Sequence, residues 1–245
     1  MDTLILALAI LPVIVLMIYV YKKDKYEKEP IGMLVKAFLL GILSIPLALC
    51  CDEIFAEMLP GKTVFFEAFF QAGIPEEMAK WGLFMLFIWK NKNFDEFFDG
   101  IVYACFIGLG FACVENIMYV FDSETYSDAV HTGVMRALLS VPGHFLFAVI
   151  MGYYFGLAKF KKNERSKFLI FSILFPIIAH GLFDYLLMLS SAFSDNNLEW
   201  LGVILYILFL YLDVKLWKIC LRRIEKLQEE SRIERNNNIF RKIFG

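Results

Sequence analysis

The chain has 245 residues, of which 59% are hydrophobic, 17% aromatic and 20% charged, whereas ordinary soluble domains are ~45–50% apolar. That excess, with a mean hydropathy of +0.62, excludes a water-soluble domain and puts the chain in a lipid bilayer. A net charge of -2 gives no electrostatic reason to expect nucleic acid as a partner.

Apolar runs fall at 3–21, 32–51, 73–89, 100–121, 132–158, 168–191 and 199–217. About 20 apolar residues cross a ~30 Å hydrocarbon core, so seven such runs leave no room for a soluble catalytic domain. The predicted fold is an all-α integral membrane protein, a bundle of about seven transmembrane helices over residues 1–217, with a basic amphipathic tail at 218–245. The first run reads as a retained anchor, because no basic stretch precedes it and lysines follow it in place of a small-residue cleavage site. Lys and Arg alternate along the connections. The 22–30 connection carries Lys22, Lys23, Lys25 and Lys28, and 52–72 carries only Lys62. The 90–99 connection has Lys90 and Lys92, 122–131 has none, 159–167 is densely basic, 192–198 has none, and the tail is basic again. The positive-inside rule then predicts an outside N-terminus and a cytoplasmic C-terminus. Ile219, Ile224, Leu227 and Ile233, spaced among charges, make the tail an interfacial or solvated helix. The Phe-rich 52–72 stretch reads as an interfacial segment on the outer face. Cys50, Cys51, Cys105, Cys113 and Cys220 lack CxxC or framework spacing and read as free thiols.

A charge at mid-bilayer costs ~2.5–3.5 kcal/mol on insertion scales, so each one inside a span needs a partner or a task. Lys36, Asp99, Asp213 and Lys215 lie near predicted cytoplasmic ends, where snorkelling or the interface accounts for them. The remaining groups are Glu76, Glu77 and Lys80 on the third span, Glu115 with Asn116 on the fourth, Arg136 and His144 on the fifth, and His180 with Asp184 on the sixth. With the spans oriented as above, all of them fall between the midplane and the outer surface, which points to one site. Glu76 and Glu77 stand i,i+4 and i,i+3 from Lys80, so the lysine neutralises one carboxylate and leaves the other as a general base. His180 and Asp184 are i,i+4, a spacing at which a carboxylate orients an imidazole or both bind one ion. Ala104, Gly108, Phe111 and Glu115 share a face whose small residues admit a neighbouring helix close to the carboxylate, and Gly152 and Gly156 offer the fifth span a matching surface. Arg136 reads as a snorkelling anchor or a partner for one of the glutamates.

These residues resemble the PrsW family of intramembrane proteases. Glu76-Glu77-Met78-Ala79-Lys80 is similar to that family's EExxK motif, Phe111 through Asn116 to its FxxxE-N motif, and His144 and His180 to its two intramembrane histidines. The related CAAX-protease and bacteriocin-processing family has EExxxR and FxxxH motifs, from which Lys80 and Glu115 depart. The resemblance implies an enzyme of a bacterial cytoplasmic membrane. It implies that the enzyme makes the first (site-one) extracytoplasmic-side cut in a single-pass membrane substrate, an anti-sigma factor, and so activates an extracytoplasmic-function sigma factor. On this reading Glu76, Glu77 and His180 are catalytic, with Lys80, Asn116 and Asp184 in support. His144, His180 and Glu115 either bind zinc, which two histidines and a carboxylate suit in type, or act without metal by holding water and stabilising an oxyanion. Read without the family, the same residues also suit a proton- or ion-relay transporter or a non-catalytic membrane scaffold. A relay, however, would spread ionisable groups across the full thickness of the bilayer.

Overall fold

The computed structural model describes residues 3–58, 63–195 and 198–244; Lys62 lies outside them. Among the described residues every regular element is helical: α1 (Thr3–Lys23), α2 (Ile31–Met58), α3 (64–87), α4 (Asp99–Phe121), α5 (Tyr126–Phe160), α6 (Arg165–Asp195) and α7 (Glu199–Phe244). Five of them are long and apolar enough to cross a membrane on those grounds alone: α1, α2, α4, α5 and α6. The third expected span, α3, is interrupted by Glu67, Glu76, Glu77 and Lys80. The seventh, α7, joins an apolar half to a charged half without a break.

Two helices contain an irregular turn, and a proline follows each. Pro75 and Pro142 lack an N–H and clash with the carbonyl of the preceding turn, which favours a disturbed turn there, although Pro12, Pro46 and Pro176 are accommodated inside continuous α-helices. The chain upstream of each widens into a π-helix, at Glu67–Gly73 before Pro75 and at Arg136–Ser140 before Pro142. α-Helical geometry resumes at Ile74 and Val141, placing Glu76, Glu77 and His144 in the first turns after the irregular ones. Such wide turns recur at functional sites. They also give the described part of 52–72 its local structure. Its first part is the end of α2 and its last part the π-helical start of α3, where Phe69 packs against Gly181 and Phe65 meets Tyr185 edge to face at 5.9 Å.

The inner pair of the bundle is α4 and α5. Residues 99–112 of α4 are buried without exception, and most of Val141–Ala158 is buried on α5. Glycine permits their approach: a Cβ on Gly108 would stand 2.8 Å from Ala148 Cβ and 3.2 Å from the His144 carbonyl oxygen. Outer helices carry exposed apolar side chains, as Leu11, Leu39, Ile170 and Ile207 do, where acyl chains meet them.

The lysine-bearing connections 24–30, 88–98 and 161–164 share one end of the bundle with the charged half of α7: Lys159 donates to the Trp89 carbonyl, Lys161 to Glu230, Gln228 to the Lys23 carbonyl and Arg235 to the Tyr26 carbonyl. The tail residues are not merely solvated there. Cys220, Ile224 and Leu227 are buried in the main core, and Ser231 Oγ accepts a hydrogen bond from the Phe98 N–H at 3.1 Å. Asp99, read from the sequence as an interface residue, is fully buried.

Candidate active site

Towards the opposite end of the bundle, four helices bring their polar residues to one place. On α3, Glu76, Glu77 and Lys80 fall on adjacent turns, and the Lys80 ammonium donates to Glu77 Oε1 at 2.8 Å and to Glu76 Oε2 at 3.2 Å. The same Nζ lies 3.3 Å from His144 Nδ1 on α5. An ammonium has no lone pair, so Nδ1 accepts this bond and the ring proton sits on Nε2, from which it is donated to Glu115 Oε2 on α4 at 2.8 Å. His180 on α6 faces carboxylates with both ring nitrogens: Nδ1 is 3.0 Å from Glu77 Oε1, and Nε2 is 3.2 Å from Asp184 Oδ2 and 3.9 Å from Glu76 Oε2. Asp184 thus stands at its expected i,i+4 place beside the imidazole.

Arg136 lies in the π-helical turn of α5 and takes the second of its two expected roles. Its Nη2 donates to Glu115 Oε2 at 2.6 Å and its Nε to Asn116 Oδ1 at 2.8 Å. Asn116 in turn donates to the Ala9 carbonyl at 2.8 Å, tying α1 to the group. Aromatic rings complete the walls. Phe111 lies under the Lys80 ammonium with its centroid 3.9 Å away, and Phe147 stacks on His180 at 4.7 Å and 18°. Phe147 was not singled out in the sequence, because one phenylalanine among the many on apolar spans carries no mark of which ring meets an imidazole.

Glu77, Lys80, His144 and His180 are buried, whereas Glu76 and Glu115 line a cleft of about 690 Å³. Ile45, Ala48 and Leu49 of α2, Gln71 and Ala72 of α3, and Met118 and Tyr119 of α4 form its other walls. Glu76 is therefore the carboxylate of the pair that faces space large enough for a peptide segment.

One ligand atom from each of Glu76, Glu77, His144 and His180 lies within 4.8 Å of the others. Two carboxylates and two imidazoles are a donor set that suits zinc. The Lys80 ammonium already sits among three of these residues and partly balances their charge. Glu115, expected among the ligands, is not in this group and instead binds His144 Nε2 and Arg136.

Residues 29–212 match the family model described as PrsW family intramembrane metalloprotease. The chain belongs to the PrsW family. It is an intramembrane protease and a multi-pass protein of the cell membrane, and its family is one of metalloproteases. Protease PrsW of Clostridioides difficile (strain 630) is 35% identical over 230 residues, covering 92% of this chain and 92% of the relative. Protease PrsW of Oceanobacillus iheyensis is 34% identical over 227 residues, or 93% and 97% of the two chains. For Protease PrsW of Bacillus subtilis (strain 168) the values are 36% over 184 residues, 75% and 82%. No solved structure matches the chain.

Proposed function

We propose that this protease makes the first, extracytoplasmic-side cut in a single-pass membrane protein of the anti-sigma-factor class, releasing an extracytoplasmic-function sigma factor. The convergence of Glu76, Glu77, His144 and His180 within 4.8 Å carries this reading. Its sidedness is supported by the arrangement of the connections: the basic ones share the end of the bundle away from the site, so the positive-inside rule turns the site outward. Residues 1–217 form the protease unit and 218–245 its cytoplasmic extension.

Glu77, His144 and His180 would hold zinc, leaving Glu76 free at the cleft, and a bound zinc would supply Lewis acidity to acidify water and polarise a carbonyl. Glu76, at the cleft, is the general base. It accepts a proton from water as the water oxygen bonds to the carbonyl carbon, and returns that proton to the departing amide nitrogen as the C–N bond breaks. Lys80 and His180 hold Glu77 in place from two sides. Asp184 orients His180, Glu115 orients His144, and Arg136 with Asn116 fixes Glu115. The cleft between α2, α3 and α4 receives the substrate segment in extended form, with acyl chains excluded and water reaching Glu76.

Full-length protein in liposomes, incubated with a tagged single-pass substrate, tests the assignment. Glu76→Gln is expected to lower turnover ~10²–10⁴-fold, the range of general-base contributions. His144→Ala and His180→Ala should abolish both cleavage and zinc retention, and chelation should stop the wild type until zinc is returned. Undiminished cleavage in all these variants would sink the site.

A further inference from the structure

At the end of the bundle away from the active site, five carboxylates from separate stretches of chain meet. Asp24 and Glu29 come from the α1–α2 connection, Asp95 and Glu96 from the α3–α4 connection, and Asp99 from the start of α4. One oxygen from each of Asp24, Glu96 and Asp99 lies within 4.8 Å of the others, and the same holds for Glu29, Asp95 and Asp99. Asp99 is 0% exposed, Asp24 1% and Glu96 8%. Buried anions require compensation, yet among the described residues no Lys or Arg forms an ion pair with any of the five. The nearby cations bond elsewhere: Lys28 to the Tyr21 carbonyl, Lys159 to the Trp89 carbonyl at 2.7 Å, and Arg235 to the Tyr26 carbonyl.

The carboxylate oxygens divide into two kinds. Asp24 Oδ2 accepts from the Glu29 N–H at 3.2 Å, and Asp99 Oδ2 accepts from the N–H groups of Asp95 at 3.0 Å and Glu96 at 2.6 Å. Asp24 Oδ1, Asp99 Oδ1 and Glu96 Oε2 are buried with no hydrogen-bond partner. Buried polar atoms are rarely left so. A carboxylate oriented through one oxygen by backbone amides and bare at the other has the form of a metal ligand with its supporting hydrogen bonds.

We propose that Asp24, Glu96 and Asp99 bind a hard divalent cation, magnesium or calcium, flanked by Glu29 and Asp95. Oxygen-only, carboxylate-rich donors favour these ions over zinc or copper. The ion clamps the α1–α2 and α3–α4 connections to the start of α4. It thereby sets the platform on which α7 docks, through Ser231 to the Phe98 N–H and Gln228 to the Lys23 carbonyl. Protons are the competing occupants: burial, reinforced by neighbouring carboxylates, raises Asp24 to about 6, Glu96 to about 7 and Glu29 to about 8.

Manganese(II), read by electron paramagnetic resonance, is the probe. It is titrated into metal-stripped full-length His144→Ala/His180→Ala protein in detergent, where the active-site nitrogen donors are gone. A saturable Mn²⁺ site is expected, displaced by Mg²⁺ or Ca²⁺, lost on adding Asp24→Asn, Glu96→Gln and Asp99→Asn, and weakened about ten-fold or more by Glu96→Gln alone. In the wild type, Mg²⁺ or Ca²⁺ should raise the melting temperature, and this rise should vanish in Glu96→Gln. No Mn²⁺ uptake in the parent, or uptake unchanged by the triple substitution, would overturn the proposal. If the triple variant does not fold, Glu96→Gln decides: affinity equal to the parent's would mean that protons alone occupy the cluster.

Discussion

Lys80 sets the charge balance of the active site, since its ammonium meets Glu77, Glu76 and His144 at 2.8, 3.2 and 3.3 Å while itself buried. Removing one member of a buried ionic network leaves uncompensated charge and costs about 3–5 kcal/mol. Lys80→Met is expected to lower the stability of metal-stripped protein by that order in thermal or denaturant unfolding. Zinc should then stabilise the variant more than the wild type, because in the wild type the metal and the ammonium compete for the same donors; equal stabilisation would refute that competition. Arg136 makes a different demand. Its Nη2 and Nε serve Glu115 and Asn116 together, and a lysine, as a single point of charge, cannot span both. Arg136→Lys should reduce kcat/KM about 10–100-fold, as loss of a supporting partner does, with little change in melting temperature; a structural role alone would shift melting and spare turnover. Most of these polar residues were readable in the sequence because lipid makes each intramembrane charge conspicuous. The exchange of Glu115 for the Glu76–Glu77 pair at the point of convergence was not readable, since spacing along four separate helices does not fix their rotation.

Helix rotation and approach are settled by small residues and prolines. The face made by Ala104, Gly108, Phe111 and Glu115 was readable from spacings of four, three and four residues, and in the fold Gly108 lies against Ala148 and the backbone of His144. The two π-helical stretches were not readable: Pro75 and Pro142 announce a disturbance in the preceding turn, but a kink, a break and a widened turn share that signal. The close approach at Gly108 predicts a sharp contrast between two glycines. Gly108→Val forces α4 and α5 apart where Glu115 must reach His144, so it should cost about 1–3 kcal/mol through overpacking and lower cleavage more than ten-fold at temperatures where the protein is folded. At Gly82 on α3 a Cβ would meet nothing within 4 Å, and Gly82→Ala should be neutral or stabilising by up to about 1 kcal/mol, because alanine is the better helix former. Paired melting curves and cleavage assays check both, and equal effects at the two sites would show that helix approach does not limit the active site.

Across the whole molecule, the two polar clusters lie at opposite ends of α4, with the acid group at Asp99 and the active site at Glu115 and Asn116, and α7 meets both: its charged half docks beside the first, and Phe209 packs with Phe147 and Phe183 beside the second. The alternation of basic connections predicts that every second connection lies on one side, and in the fold 24–30, 88–98 and 161–164 lie at one end of the bundle. The docking of the tail was not, because Ile224 and Leu227 spaced among charges look the same whether that stripe faces headgroups or protein. In the fold, Cys220, Ile224 and Leu227 enter the main core, Lys161 pairs with Glu230 at 2.8 Å, and Ser231 serves the Phe98 N–H. Fully burying an Ile or Leu contributes about 1.5–3 kcal/mol, and a typical domain has only about 5–15 kcal/mol in total. A chain ending after Trp217 should therefore lose a large part of its stability, seen as a lowered melting temperature and increased proteolysis at the 24–30 and 88–98 connections. A chain ending after Ile233 keeps the buried stripe and the Ser231 contact, and should melt close to the full-length protein. If both truncations melt alike, the charged half of α7 contributes through its surface and not through these buried residues.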